Sequence, residues 1–405
     1  MHILFLTDNF PPEGNAPASR TYDHAVRWTR DGHRVTVITG APNFPEGVVF
    51  DGYKNAWYRT EDMDGIRVVR VKSYITANQG FRRRTLDYMS FMVTGFLAGL
   101  FQQRPDVIVG TSPQFFTVCA AWVLAIFRRR PWVFELRDLW PDSIRAVGAM
   151  TEGRALRALD RLEMQLYRKA DAIVSVTRSF KEKLVERGVE GEKIHVVING
   201  VDLERYSPRP KDQALVADYD LEGKFIVGYI GTHGLAHALN RVLEAAALLR
   251  ERKDIVFIFV GSGAQRGVLI DQAAEMGLEN VRFIPRQPKE RMPAYWSLCD
   301  CSLVSLKDTA LFDSVIPSKI FESMGMGLPI LASIPGGEAT RILEDAGAGF
   351  AVPPERPQSL VEAVLSLADD RALTDELGRA SHRAAERYSR DAQARLMLDA
   401  LRSLD

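Results

Sequence analysis

The sequence alternates short β-branched runs with amphipathic segments, in two successive series. This alternation predicts βα units and parallel sheets. The first series has predicted strands at His2–Thr7, Arg34–Thr39, Asp106–Val109, Trp132–Leu136, Ala172–Val176 and Lys193–Val197. The second has predicted strands at Phe225–Ile230, Ile255–Val260, Val281–Ile284, Cys301–Leu306, Pro329–Ala332 and Gly349–Val352. We therefore expect an α/β protein of two Rossmann-like, doubly wound domains, which bind ligands at the carboxyl ends of their strands and face each other across a cleft.

A break in the pattern separates the two series. Around Tyr206–Leu221 the chain becomes rich in Pro, Lys, Asp and Gln, which is typical of an interdomain linker. We therefore predict a first domain at 1–205, a linker at 206–221 and a second domain at 222–385. Residues 386–405 are expected to form a C-terminal helix that packs back on the first domain.

The composition excludes several classes of protein. Lys plus Arg and Asp plus Glu both number 52, so no overall positive field attracts nucleic acid. The three cysteines, Cys119, Cys299 and Cys301, are too few for a disulfide framework and are expected to be buried thiols, which fits a reducing cytoplasm. The N-terminal MHILFLTDNF lacks a basic region and enters a strand directly, so we expect no signal peptide.

No metal or redox cofactor is expected from the motifs. Asp62-Met-Asp64 and Asp218-Tyr-Asp220 have the Asp-x-Asp form of metal-dependent transferases, but they fall in a predicted hairpin turn and in the linker, where turn chemistry explains them. The glycines of Gly261-Ser-Gly263 lack the spacing of a dinucleotide fingerprint, which disfavours a hydride-transfer cofactor.

The most informative segment runs from Ser314 to Ile330. Pro317 suits a first helical turn, so the free N–H groups near Ser318 and Lys319 would favour a bound diphosphate. Glu322 lies three residues after Lys319, on the same helix face, and its carboxylate can accept two hydrogen bonds from a ribose diol. The spacing alone equally allows a solvated intrahelical Lys319–Glu322 pair.

Together with other motifs along nearly the whole chain, this segment resembles the nucleotide-binding region of GT-B glycosyltransferases of family 4. The other motifs are Pro11-Pro-Glu-Gly14, Asn199-Gly-Val-Asp202, Gly228-Tyr-Ile-Gly231 and Val260-Gly-Ser-Gly263. A narrower resemblance is to the bacterial branch that includes N-acetyl-L-fucosamine transferases of surface polysaccharide (O-antigen or capsule) assembly. It rests on Ala41-Pro-Asn-Phe-Pro45, Leu136-Arg-Asp-Leu-Trp-Pro-Asp-Ser143 and Pro317-Ser-Lys319.

The resemblance implies a donor site in the second domain. Glu322 matches the second of two family glutamates, but Ser314 stands at the first, which usually helps to hold the donor sugar. The family's Arg and Lys after the first strand of this domain are also missing, so backbone amides of Thr232–Gly234 are expected to bind the diphosphate with Lys319. His233 is either a further donor group or a loop histidine without a ligand. Arg286 is either a phosphate or base contact or an exposed loop arginine.

Two residues of the first domain are also candidates. Gly14 is expected to let the loop backbone approach the transferred sugar. Asp138 follows a strand and could orient a sugar hydroxyl, but Arg137 stands where the family often has histidine. Helix capping within Leu139–Ser143 explains Asp138 equally well.

The resemblance implies transfer with retention at the anomeric carbon and no required metal. Lys319 would stabilise the charge of the leaving diphosphate, and Asp138 would act on the sugar. Uracil is the favoured base and guanine the alternative. The sugar would be N-acetyl-fucosamine or a related amino sugar. A nucleotide-sugar epimerase and a non-catalytic scaffold are the rival classes, and retention of Lys319 with Glu322 argues against the scaffold.

Two apolar runs raise the question of a membrane. Tyr88–Phe101 and Phe115–Phe127 are each shorter than the roughly 20 residues that span a bilayer. Arg82–Arg84 precede the first run and Arg128–Arg130 follow the second, which suits an anionic bilayer surface. Burial of both helices between strands explains the apolar residues as well. Because the resembled enzymes use polyprenyl-diphosphate-linked acceptors, we predict peripheral binding at the cytoplasmic face of the inner membrane, with the acceptor presented near residues 79–101.

Overall fold

Both predicted series of strands form sheets in the computed structural model, which describes residues 1–76, 81–139, 153–309 and 312–404. The chain divides into two units. The first comprises Met1–Asn199 and Gln393–Asp405, and the second comprises Gly200–Ala392. Each unit is an α/β fold built on its own sheet.

The sheet of the first unit has the strand order β3-β4-β2-β1-β5-β6-β7-β8. Its neighbours are parallel, except that β3 runs antiparallel to β4 as the predicted hairpin. All residues of β1, β5 and β6 are buried, as expected for a parallel sheet covered on both faces. The strands are β1 (His2–Leu6), β2 (Arg34–Thr39), β3 (Tyr58–Met63), β4 (Ile66–Val71), β5 (Val107–Thr111), β6 (Trp132–Leu136), β7 (Ala172–Ser175) and β8 (Ile194–Val196).

Helices cover this sheet, and their ends follow local sequence signals. The side chain of Asn15 accepts a hydrogen bond from the Ala18 N–H and so begins the first helix, with proline in its first turn. Thr177 caps the fifth in the same way through the Phe180 N–H. The helices are α1 (Ala16–Arg30), α2 (Phe81–Leu100), α3 (Phe115–Arg128), α4 (Arg154–Lys169) and α5 (Arg178–Glu186).

The sheet of the second unit is entirely parallel, in the order β11-β10-β9-β12-β13-β14. Four of its six strands, β9, β10, β12 and β13, are fully buried. The strands are β9 (Phe225–Ile230), β10 (Ile255–Gly261), β11 (Val281–Pro285), β12 (Cys301–Ser305), β13 (Ile330–Ser333) and β14 (Gly349–Val352). The helices of this unit are α6 (Gln213–Asp218), α7 (Leu239–Leu248), α8 (Arg266–Glu275), α9 (Met292–Trp296), α10 (Lys319–Gly325), α11 (Glu338–Ala346), α12 (Pro357–Asp369) and α13 (Arg371–Ala385). The last helix, α14 (Arg390–Arg402), begins in this unit and continues into the first.

The division between the units differs from the predicted domain limits. The first unit ends at Asn199 rather than at residue 205, because Val201 is hydrogen-bonded to the second unit through Tyr388 and Arg390. The predicted linker belongs to the second unit and contains α6. Its polar residues form hydrogen bonds within that unit. For example, the Lys211 Nζ donates to the Asp300 carboxylate at 2.8 Å.

The C-terminal residues from Gln393 onward group with the first unit. Met397, Leu398 and Leu401 of α14 are buried in the core that lies against β1 and β2. The indole Nε1 of Trp28 donates to the Ala394 carbonyl at 2.9 Å. The last helix therefore completes the core of the first unit.

Two further predictions concern the cysteines and the possibility of a membrane-spanning helix. The three cysteines are free and buried, and burial raises the pKa of the Cys119 thiol to about 12. Within the described ranges, no helix has the length and apolar character needed to cross a bilayer.

Candidate functional site

The candidate donor site lies in the second unit, where β9 and β10 end. The backbones approach so closely here that a Cβ on Gly261 would lie 1.9 Å from the Gly231 carbonyl oxygen. A Cβ on Gly231 would lie 3.0 Å from the Lys319 Nζ, and both glycines have positive φ. Glycine at these positions therefore leaves room for the lysine and exposes backbone at the carboxyl edge of the sheet.

Lys319 is buried beside this glycine turn. Its side chain is 8% exposed, and its Nζ lies 3.8 Å from the centre of the Tyr229 ring. No described residue forms a hydrogen bond with the Nζ. Burial lowers the pKa of Lys319 to about 7, although nearby Glu322 opposes the shift. Lys319 therefore does not form a solvent-exposed pair with Glu322.

Glu322 lies one helical turn further along α10 and is half-buried. Burial raises the pKa of this carboxyl, while Arg390, Lys319 and Lys289 oppose the rise. Its carboxylate thus lies among positive charges without forming a close ion pair to any of them in the described part of the chain. A half-buried carboxylate of this kind can accept hydrogen bonds from a diol.

His233 is a core residue, which corrects its assignment as a donor-binding side chain. Its ring is 0% exposed and packs edge-on against Phe259 and Phe283. Burial, with the charges of Arg266 and Lys319, lowers its pKa to about 4, so the imidazole is neutral. Neither ring nitrogen has a hydrogen-bond partner among the described residues. His233 does lie in the loop after β9, as the alternative of a loop histidine without a ligand has it, but its ring is buried.

The backbone of the same loop is held in place from both sides. The His233 N–H donates to the Ser262 carbonyl at 2.9 Å, and the Tyr229 hydroxyl donates to the Thr232 carbonyl at 2.7 Å. Thr232 itself is exposed and Gly234 is half-exposed. Tyr229 therefore contacts both Lys319, over its ring, and the loop, through its hydroxyl.

The remaining predicted donor residues lie at the surface. Ser318 is exposed immediately before α10, and α10 begins at Lys319 rather than at Pro317. Arg286 is exposed just after β11, the edge strand, and forms no ion pair among the described residues. Ser314, at the position of the missing glutamate, is half-buried.

In the first unit, the loop that carries Gly14 is fixed by its neighbour Glu13, which the sequence did not single out. The Glu13 carboxylate accepts hydrogen bonds from the N–H groups of Asn43 at 2.8 Å, Phe44 at 2.9 Å and Phe10 at 3.3 Å. Burial raises its pKa, and these N–H groups oppose the rise. Gly14 is exposed, and an added Cβ would meet no atom within 4 Å. Glu13 therefore links its own loop at residues 11–14 to the loop at residues 41–45, and both loops carry motifs that resemble family 4.

Asp138 lies two residues after β6 and is half-buried. The capping alternative involves residues 140–143, which lie outside the described residues. The neighbouring Glu135 is fully buried and accepts a hydrogen bond from Arg20 Nε at 2.8 Å. Burial would raise the pKa of Glu135, but Arg20 and Arg137 outweigh it and hold the pKa below its ordinary value. This ion pair fixes the end of β6 beneath Asp138.

Both halves of the chain match known families. Residues 15–200 match the glycosyl transferase 4-like domain, and residues 212–384 match the glycosyl transferases group 1 family. The putative colanic acid biosynthesis glycosyl transferase WcaI of Escherichia coli K12 is 28% identical over 374 residues, which are 90% of this chain and 91% of that protein. A GDP-mannose-dependent alpha-mannosyltransferase of Mycobacterium tuberculosis is 25% identical, over 83% of this chain and 80% of that protein.

The fold also matches a solved structure. The crystal structure of HepE from Anabaena in complex with UDP superimposes with a TM-score of 0.72 at 18% identity and covers 100% of both chains. At this level of identity the similarity shows the fold, which is that of the GT-B glycosyltransferases.

Proposed function

The chain is a glycosyltransferase whose first half matches the glycosyl transferase 4-like domain and whose second half matches the group 1 family. We propose that it transfers a sugar from a UDP-sugar donor to a lipid-linked saccharide in polysaccharide biosynthesis. The observation that carries this proposal is the buried ammonium of Lys319 without a hydrogen-bond partner. An isolated buried charge is costly, so the site favours a ligand that brings negative charge to it. A nucleotide diphosphate is such a ligand.

The reaction proposed for this site follows from where charge develops. When the bond from the anomeric carbon to the diphosphate breaks, negative charge grows on the leaving phosphate oxygen. Lys319 and the backbone N–H groups of Thr232 and Gly234 would stabilise that charge, whereas the His233 N–H is already bonded to the Ser262 carbonyl. A donor phosphate oxygen would take the proton of the acceptor hydroxyl, whose oxygen would then bond to the anomeric carbon on the face from which the diphosphate leaves. Attack on that face gives retention, and Glu322 would hold the ribose diol.

The identity of the donor rests on the relatives. The structural neighbour HepE was crystallised with UDP, which supports uracil. The mycobacterial relative uses GDP-mannose, so a GDP-hexose is the second candidate. The relative WcaI is named for colanic acid biosynthesis, which supports a polysaccharide acceptor. We propose N-acetyl-fucosamine or a related amino sugar as the transferred group.

The first experiment is calorimetric titration of the chain with UDP and with GDP. We expect UDP to bind more tightly, and tighter binding of GDP would reverse the assignment of the base. A panel of radiolabelled nucleotide sugars with a polyprenyl-diphosphate-linked acceptor then identifies the sugar. Donor incubated without acceptor and followed by NMR tests the rival epimerase, which would form a new nucleotide sugar.

A stripe of exposed apolar side chains supports peripheral membrane binding by the first unit. On α2 the stripe recurs every three or four residues, at Leu86, Met89, Val93 and Leu97. It continues into Phe101, which is 82% exposed, and Phe127, which is 67% exposed. The exposed arginines of the flanking segments are Arg83 and Arg84 in the first turn of α2, Arg104 after α2 and Arg129 after α3.

This combination suits the surface of an anionic bilayer, because apolar groups enter the lipid boundary while arginines meet the headgroups. We propose that the stripe is where the first unit meets the cytoplasmic face of the inner membrane, near its lipid-linked acceptor. The alternative of helices buried between strands does not account for apolar side chains that are 42–82% exposed.

Sedimentation with liposomes tests the membrane proposal. Wild-type protein should pellet with anionic liposomes at low salt and dissociate as salt rises. Replacing Phe101 and Phe127 by Ser should weaken pelleting, as should replacing Arg83 and Arg129 by Ser. The matched control replaces Leu248 and Val268, exposed apolar residues of the second unit, by Ser and should leave pelleting unchanged. If wild-type protein does not pellet at low salt, a soluble acceptor becomes the better proposal.

A further inference from the structure

A pocket of about 190 Å³ opens in the first unit where β1 ends. Its floor and walls come from separate segments: Asp8 and Asn9 after β1, Phe44 in the loop fixed by Glu13, and Arg84, Asp87 and Tyr88 on α2. Gln114, just before α3, closes the remaining side. The volume is below the roughly 300–1,000 Å³ typical of pockets for drug-sized ligands, so the pocket suits a single small ring.

Two carboxyl groups dominate the polar lining. Asp87 is 9% exposed, and no described residue donates a hydrogen bond to its carboxylate or to that of Asp8. Burial, with the charges of Asp87 and Glu13, holds the pKa of Asp8 well above its ordinary value. Burial raises the pKa of Asp87 to about 7, against the opposing charge of Arg84. Near neutral pH the pair therefore presents both carboxylate acceptors and a carboxyl donor.

A second polar group in the wall also lacks a partner. The side chain of Gln114 is 6% exposed, and its Oε1 has no hydrogen-bond partner among the described residues. Its Nε2 donates to the Asn9 Oδ1 at 3.3 Å, so one end of the amide is bonded and the other is free. Buried polar groups are normally satisfied, so an unpaired amide oxygen beside a pocket indicates a ligand that donates hydrogen bonds.

The remaining lining sets the character of that ligand. Tyr88 and Phe44 supply aromatic surface, and the Arg84 Nη2 donates to the Tyr88 hydroxyl at 2.7 Å. Among the described lining residues, Arg84 is the one cation, and it is partly committed to the tyrosine. A metal ion is not indicated, because the described residues contain no group of three or more metal-binding side chains of suitable placement.

We propose that this pocket binds one ring of the saccharide acceptor, recognises its hydroxyl groups through Asp8, Asp87 and Gln114, and rejects sugars that carry a carboxylate. Hydroxyl groups both donate and accept hydrogen bonds, which matches the paired carboxyl groups and the free amide oxygen. The raised pKa values of Asp8 and Asp87 indicate that this pocket disfavours negative charge, and the carboxylate of a uronic acid would meet the same penalty. The inference rests on the proposed transferase function and names the class of acceptor.

The test uses the intact chain saturated with UDP and matched pairs of methyl glycosides: glucoside with glucuronide, and galactoside with galacturonide. Binding is measured by titration with saturation-transfer NMR. We expect at least one neutral glycoside to bind, with its uronic acid partner at least about tenfold weaker. In the Asp8→Asn/Asp87→Asn variant, the difference should shrink to about twofold or less. Arg84→Gln should widen it, because the one attractive charge is removed.

The control is Asp51→Asn, which removes an exposed carboxylate elsewhere in the first unit and should leave the discrimination intact. Circular dichroism confirms that each variant is folded. The proposal is overturned if no neutral glycoside binds, if the uronic acids bind as well as their partners, or if discrimination survives in the folded double variant. A failure of UDP itself to bind would instead contradict the proposed function.

Discussion

The ammonium of Lys319 lies over the ring of Tyr229, 3.8 Å from its centre, while the hydroxyl of the same tyrosine donates to the Thr232 carbonyl. One aromatic residue thus holds both the lysine and the loop that are proposed to meet the diphosphate. A cation over an aromatic face is stabilised modestly, by about 0.5–2 kcal/mol, which is less than the cost of burying an unpaired charge. Lys319 is therefore held in position, and its charged form is destabilised, before the ligand binds.

The first prediction concerns turnover. Lys319→Met keeps most of the side-chain volume and removes the charge, so kcat should fall by roughly 10²-fold while KM changes much less. The reason is that leaving-group charge grows only as the bond breaks. Steady-state kinetics measure both constants, and Lys253→Met, at an exposed site of the same unit, is the control. Normal turnover in a folded Lys319→Met protein would remove Lys319 from the reaction.

The second prediction concerns protons. With a pKa of about 7, Lys319 is largely neutral at pH 8 in the free protein. A bound diphosphate favours the charged form and raises this pKa, so UDP binding at pH 8 should take up on the order of half a proton or more. Calorimetry in two buffers of different ionisation enthalpy measures the uptake. Lys319→Met should abolish it and Lys253→Met should retain it, and equal uptake in both variants would point to another group.

The third prediction concerns the ribose. If Glu322 accepts hydrogen bonds from the diol, Glu322→Ala should weaken UDP binding by about 1.5–3 kcal/mol without unfolding the second unit. Glu344→Ala, at an exposed glutamate of α11, is the matched control and should bind UDP normally. Calorimetric titration decides, and unchanged affinity in folded Glu322→Ala would contradict the assignment.

The fourth prediction concerns stability of the first unit. Glu135→Gln leaves the buried guanidinium of Arg20 without its carboxylate, which should destabilise the unit by about 3–5 kcal/mol. Asp254→Asn, which removes one partner of the exposed Arg252 pair, should cost at most about 1 kcal/mol in the second unit. Hydrogen exchange of core amides in each unit measures both effects. Equal protection in Glu135→Gln and wild-type protein would show that the pair is not needed.

The sheets could be predicted from local sequence because each strand is a short buried run between turn residues. Predicted and observed limits coincide for β2, β6, β9 and β14, and for the other strands of the two predicted series they differ by a residue or two. The environment of the candidate site could not be predicted in this way. Helical spacing pairs Lys319 with Glu322, but burial of the lysine depends on Tyr229 and Gly231, which are distant in sequence.

The first-unit pocket was missed for the same reason. Asp8, Asp87 and Gln114 each lie in a segment that has no distinctive local pattern. They meet in one pocket because the sheet order places β1 between β2 and β5. Glu13 gave a local signal, since a buried acid within a Pro-Pro-Glu-Gly loop requires partners. Its three backbone donors, however, lie in two different loops.

The discontinuous make-up of the first unit has a consequence for biosynthesis. Residues from Gln393 onward supply part of the apolar core against β1 and β2, although every residue of the second unit precedes them in the chain. Domains commonly fold in order as they leave the ribosome. While the second unit is translated, the apolar face that α14 covers stays uncovered, and the core of the first unit is complete only once α14 has been made.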